Sequence, residues 1–240
     1  VSGLDVDYRD ERVDPPFVLP LTDFELEFKG LDTRPQVEPR PVQFRAMLNA
    51  GKAPLPGQAT RHAPIIGLVA GAAEKLTGHD RTSPVEERLL FDEIAVHGEL
   101  TLGASPRGRI RSSVSGLELL GVQGLARQSQ VEIGGGLFDA GVSVDLAGDH
   151  GTDISAGLLF TNLSLSEPAN GATSSWLKLP APLDSVLFVL RNADGEIRTP
   201  ISFHVPPEGL TAGQITQAAL ATLGQLIARA IATSPLRVGG

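Results

Sequence analysis

Over most of this chain, apolar and polar residues alternate with the two-residue period of strands that have one dry face and one wet face. Residues 3–9 place Leu4, Val6 and Tyr8 on one side and Asp5 and Asp7 on the other. After the charged stretch RDERVD and Pro15–Pro16, Phe17, Leu19 and Leu21 alternate, followed by Phe24, Leu26 and Phe28 with the side switched by one residue. That slip predicts a bulge near Thr22–Asp23, and Pro20 predicts an edge strand because it lacks an N–H. A further strand is expected over 42–48. From 88 to 166 the pattern reads as β throughout, without an intervening helix, so antiparallel neighbours are expected and parallel βαβ units are not. Ile94, Val96, Leu100 and Leu102 alternate with Ala95, His97, Glu99 and Thr101, and Val142, Val144 and Leu146 with Ser143 and Asp145. Gly134–Gly136 is expected to break the pattern, and AGDHG to make a turn.

Helical spacing replaces alternation in two places. Ile65, Leu68, Val69, Ala72 and Leu76 predict a helix over 65–77, following a Pro- and Gly-rich loop. Ile215, Ala219, Leu223, Leu226 and Ile227 predict a long C-terminal helix over about 211–233, with Thr211 as its N-cap and Pro235 as its stop. Residues 181–191 read either as a short helix starting near Asp184 or as a fully buried strand. Asp194–Gly195 marks a turn before a strand with Ile197, Ile201, Phe203 and Val205 on one face. The expected organisation is an N-terminal β segment over 1–50, a loop-plus-helix insertion over 51–87 and a β-rich region over 88–240, together one continuous domain. The fold class is mainly β: an antiparallel meander or sandwich, or an open taco-like groove. Because residue 1 is Val1, the chain is expected to be a processed product or a fragment of a larger protein.

Composition narrows the functions. Twenty basic against twenty-eight acidic residues in 240 give a net charge of −8, which argues against a nucleic-acid partner. There is no cysteine, hence no disulfide, thiolate metal site or thiol nucleophile. No apolar run reaches the length of a bilayer span.

The chemistry-bearing patterns are mostly missing. Gly51–Lys52–Ala53 lacks the hydroxyl and glycine spacing of a P-loop, and no G-x-S-x-G elbow exists. None of the five histidines has a partner at the i, i+4 spacing of a helical zinc site. Asp149, His150 and Asp153 lie close together, but GDHGTD is turn chemistry first, so no metal or cofactor is expected. A glycosidase needs only two carboxylates at a set separation, yet one Trp and one Tyr leave few platforms for a sugar. The chain is expected not to be an enzyme.

Two segments together resemble a known family. The first, over 6–33, carries Asp10, Pro15, Pro16, Phe17 and Gly30–Leu31. The second, over 182–236, carries the apolar run Leu183–Leu190, the Asp194–Gly195 turn, the strand Ile197–Val205 and the sequence Thr233–Ser234–Pro235. They resemble the two ends of the repeat-rich module of large AsmA-like proteins of the Gram-negative envelope, in a branch described only as a domain of unknown function. GGGLFDAGVSVDL (134–146) is similar to that family's Gly-Gly strand-pair repeat. The chain departs from the pattern at PPEGL before the last helix, and residues 51–80 have no counterpart.

The resemblance implies a periplasmic β-rich segment, tethered to the inner membrane through parts outside this chain, whose apolar face guides phospholipids. The residues expected to meet acyl chains are Ile94, Val96 and Leu100 on one strand, Val142, Val144 and Leu146 on a second, and Ile201, Phe203 and Val205 on a third. The alternative is a structural or assembly subunit that docks other envelope proteins through its sheet edges and C-terminal helix. Alternation alone leaves both open, since a closed core and an open groove share the same pattern.

Overall fold

The computed structural model describes residues 1–14, 16–31, 40–56, 85–103, 105–128, 130–168 and 183–209. The helices expected over 65–77 and 211–233 lie outside the described residues. Ten strands follow one another: β1 (Leu4–Asp10), β2 (Phe17–Lys29), β3 (Pro41–Ala50), β4 (Lys52–Pro56), β5 (Val85–Leu89), β6 (Glu93–Thr101), β7 (Arg107–Glu118), β8 (Glu132–Ala147), β9 (Thr152–Ser166) and β10 (Glu196–Val205). Two short α-helices, α1 (Gln123–Gln128) and α2 (Leu183–Leu190), complete the described elements together with 3-10 turns at Leu119–Val122 and Gly148–His150.

Eight strands form a single antiparallel meander in the order β1-β2-β3-β6-β7-β8-β9-β10, and β4 and β5 form a separate two-stranded ribbon. β3 pairs with β6 from Pro41↔Thr101 to Asn49↔Glu93, so the N-terminal segment and the region after residue 88 share one sheet. The protein is therefore mainly β and antiparallel, as the alternation predicts.

The structure corrects the reading of the sequence in several places. β2 is not an edge, because it pairs with both β1 and β3. Pro20 is tolerated because the ladder with β3 ends one residue on, at Leu21↔Ala50. Its carbonyl accepts a hydrogen bond from the Gly51 N–H at 2.9 Å, so its missing donor points past the end of that ladder. The bulge expected near Thr22–Asp23 is present: the β2–β3 register shifts between Thr22 and Glu25, and Asp23 takes φ 53°.

Residues 52–56, read as loop, form β4. Each strand of a two-stranded ribbon has a free side, where prolines are accommodated. Gly134–Gly136 does not end a strand. β8 runs through it with register shifts on either side of Gly135, and Gly136 at φ 131° packs against the backbone of Leu163. Residues 119–128, read as strand, are helical, because Leu119 and Leu120 turn under the sheet into buried positions. Of the two readings of 181–191, the helix is the one formed, as α2.

In an antiparallel sheet, directly paired residues point to the same face. The pairings therefore sort every strand into one apolar and one polar face. Two buried clusters sit on the apolar face, both at the end of the sheet where β3, β7 and β9 finish and β6 and β10 begin. The first joins Ala50, Ala53, Leu55, Leu90 and Phe91, so the β4–β5 ribbon and the segment after it cover β2, β3 and β6 there. The second joins Leu119, Leu163, Leu183, Leu187 and Ile197, so α2 covers β9 and β10.

Candidate functional site

Away from those clusters the apolar face continues across the sheet in register. One row runs Phe28, Phe44, Gly98, Ile110, Val144, Ile154 and Phe203. The row beside it runs Leu26, Ala46, Val96, Ser112, Val142, Ala156 and Ile201, and the row towards the far end runs Val42, Leu100, Gly108, Leu146, Thr152 and Val205. Seven strands at their usual separation make each full row about 29 Å long. Among the described residues, no element packs over these three rows.

All nine residues singled out from the sequence fall on this one face, and all are half-buried. Val144 and Phe203 share a row, separated by Ile154. Val142 and Ile201 share the next with Val96, and Leu146 and Val205 share the third with Leu100. Ile94 stands apart, because it packs against the cluster built on Leu90 and Phe91. Sequence alternation assigns each residue a side of its own strand. Only the pairing registers bring the three strands' residues into common rows.

Two glycines shape the rows. Phe44 lies across Gly98, and Gly108 is tight against the backbone of Glu99 and Leu100 at φ 148°. At the β1 edge the face is open: Leu4 is 50%, Val6 44% and Tyr8 48% exposed. Tyr8 and Phe17 meet there with ring centroids 6.2 Å apart, and Phe28 and Phe44 meet at 6.4 Å.

The polar face carries the charges, several of them in pairs. Arg109 binds Asp145, Lys29 lies 3.1 Å from Glu27, and the Gln43 amide donates to Glu99 at 2.9 Å. Asp145 and Asp153 stand opposite each other on β8 and β9, but each carboxylate faces its own base, and His204 Nδ1 lies 2.8 Å from Asp153. Asp149, near His150 and Asp153 in sequence, instead accepts from the Ser105 hydroxyl. Asp149 and Asp153 thus turn to different partners, and among the described residues no group of three acids, histidines or cysteines converges on a metal position. No helix among the described residues is long and apolar enough to cross a membrane.

Two carboxylates are held below their ordinary range. Asp10 is lowered chiefly by the Arg12 guanidinium, which donates from Nε and Nη2 at 3.0 Å, and secondarily by the Arg12 backbone N–H. Glu196 is lowered chiefly by Arg198, which donates at 2.9 and 3.1 Å, and then by the Asn192 amide. The first pair lies at the end of β1 and the second at the start of β10, both on the surface. Comparison with family models, with curated proteins and with solved structures finds no match to this chain.

Proposed function

We propose that this chain is a non-enzymatic periplasmic segment of an AsmA-like envelope protein and that it binds or guides phospholipid acyl chains on the apolar face of its sheet. The observation that carries the reading is the run of three in-register apolar rows left uncovered by any described element. Aliphatic residues predominate in them, with Phe28, Phe44 and Phe203 towards the two ends. A single bilayer leaflet's hydrocarbon is about 15 Å deep, so a row of about 29 Å accommodates an extended acyl chain with room to slide. The sequence resemblance supplies the compartment and the lipid class.

The test is native mass spectrometry of the gently purified chain, with extraction and identification of any lipid. The expected result is co-purifying phospholipid that is lost in a folded Val144→Asp, Phe203→Asp variant. A lipid-free mass under conditions that keep a control lipid-binding protein loaded overturns the proposal.

A second reading is supported by the exposed Leu4, Val6 and Tyr8 on β1, the first strand in the sheet order. There the chain is an assembly subunit whose β1 edge pairs with a strand of another envelope protein. Asp7→Pro, at a position paired with Pro20 and so with its N–H on the free side of β1, abolishes such pairing and leaves lipid loading unchanged.

A further inference from the structure

The polar face holds a cross-strand row of a different kind. In register from β3 to β10 it reads Arg45, His97, Arg111, Ser143, Ser155 and Ser202: three bases on adjacent strands, followed by three hydroxyls on adjacent strands. Two of the three nearby acids are paired with other bases, and the third, Glu99, makes its hydrogen bond to a neutral amide. Glu27, opposite Arg45, is paired with Lys29, Glu99 receives the Gln43 amide, and Asp145 is held by Arg109. Among the described residues, Arg45, His97 and Arg111 have no hydrogen-bonding or ionic partner. Two unpaired guanidinium forks thus flank an imidazole at the usual interstrand spacing of about 4.8 Å.

The surface beside the row is low. The neighbouring row reads Ala95, Ser113, Gly141 and Gly157, which leaves an open depression of about 520 Å³ whose lining includes His97, Arg111, Ser143, Ser155 and the two glycines, together with Ser112, Val142 and Ala156 between them on the same strands. His97 and Arg111 also line a second depression on the side of Arg45, so the bases stand between two hollows.

We propose that this row is a second binding site, for a small phosphate-bearing polyhydroxy compound of the sugar-phosphate class. A tetrahedral phosphate offers oxygens to forks on either side and to an imidazole N–H beneath, whereas a planar carboxylate presents only two oxygens in one plane. The serine hydroxyls, each both donor and acceptor, match the hydroxyls of the ligand body over the hollow. No Phe, Tyr or Trp lines that hollow, so recognition rests on charge and hydrogen bonds rather than on stacking. The site is on the face opposite the apolar rows and is independent of the lipid reading.

The experiment is calorimetric titration of the full chain at physiological ionic strength with glucose 6-phosphate, inorganic phosphate and glucose. The expected result is saturable binding of glucose 6-phosphate, weaker binding of phosphate and none of glucose. Arg111→Gln reduces glucose 6-phosphate affinity about tenfold or more, since a hydrogen bond to a charged group is lost. Ser155→Val weakens glucose 6-phosphate but not inorganic phosphate. Arg111→Lys, which keeps the charge and loses the fork, falls between wild type and Arg111→Gln, and Val144→Asp on the opposite face changes nothing. Circular dichroism of each variant establishes that it is folded. The proposal is overturned if neither phosphate compound binds saturably, if Arg111→Gln binds as wild type does, or if the sugar phosphate binds no better than inorganic phosphate.

Discussion

Phe44 lies directly over Gly98: a Cβ at residue 98 would stand 2.8 Å from the Cζ of the ring, and 2.7 Å from the carbonyl oxygen of Arg109 on the neighbouring strand. The ring fills the gap that the missing side chain leaves in an apolar row, so a central strand carries a glycine where its alternation calls for a larger residue.

Gly98→Ala therefore forces the ring or the β6–β7 ladder to move. We expect a loss of about 1–3 kcal/mol, the usual range for overpacking, measured by urea denaturation. Gly141 is the control. It lies in a strand, and a Cβ there would meet nothing within 4 Å. Gly141→Ala thus leaves stability unchanged or raises it by up to about 1 kcal/mol by restricting the unfolded chain. Equal losses at both positions would remove the packing argument.

Arg88 and Glu118 meet at 3.2 Å where the ribbon approaches the end of β7, with side chains 26% and 14% exposed. Removing either partner breaks this partly buried ion pair. Arg88→Met and Glu118→Gln are each expected to lose about 1–3 kcal/mol, and the double variant less than the sum of the two. A double-mutant cycle measures the coupling, and strict additivity would mean that the pair adds nothing.

Leu187 and Phe188 are neighbours in α2 with opposite environments, 9% and 72% exposed. Leu187→Ala opens the cluster with Leu163 and Ile197 and is expected to lose about 2–4 kcal/mol. Phe188→Ser is expected to stay within about 0.5 kcal/mol of wild type, as surface substitutions do. Thermal melts of both variants decide whether α2 is seated on the sheet in solution.

Asp10 and Glu196 give the pH dependence a sign. Each has a folded-state pKa below its ordinary value because arginine donors bind the charged form. The stabilisation is thus fully present above the ordinary carboxylate range and is lost as the pH falls through the lowered folded values. Both groups are on the surface, so the effect on global stability is small. The sharper readout is the carboxyl carbon resonance in an NMR titration: Arg12→Gln moves the Asp10 midpoint upward and leaves Glu196 unchanged, while Arg198→Gln does the reverse.

Where a single strand's own pattern carries the information, the sequence is a good guide. The alternation around Ile94, Val142 and Ile201 assigns each residue to the correct side, and the one-residue slip between Leu21 and Phe24 locates the bulge at Asp23. It misleads where the decision is made by a neighbour. Pro20 looks like an edge residue until the end of the β3 ladder is seen beside it. Leu119 and Leu120 look like strand until the sheet above them makes a turn the way to bury both. The row from Arg45 to Ser202 has no local signature at all: in sequence its members are ordinary outward-facing polar residues, and a signal would have required the pairing registers of six strands.

The two-residue period and the turn at Asp194–Gly195 determine by themselves that this chain builds antiparallel strands, each with one apolar and one polar side, because side-chain direction in a strand follows from backbone geometry alone. Which strands are neighbours, and in what register, is a property of the assembled sheet. The hydrogen bonds that set it join residues as far apart as Gln43 and Glu99 or Asp153 and His204, and backbone pairing is indifferent to side-chain identity. Tertiary structure therefore decided that the apolar sides align into rows, that the ribbon and α2 cover one end of them, and that Arg45, His97 and Arg111 stand together on the opposite face.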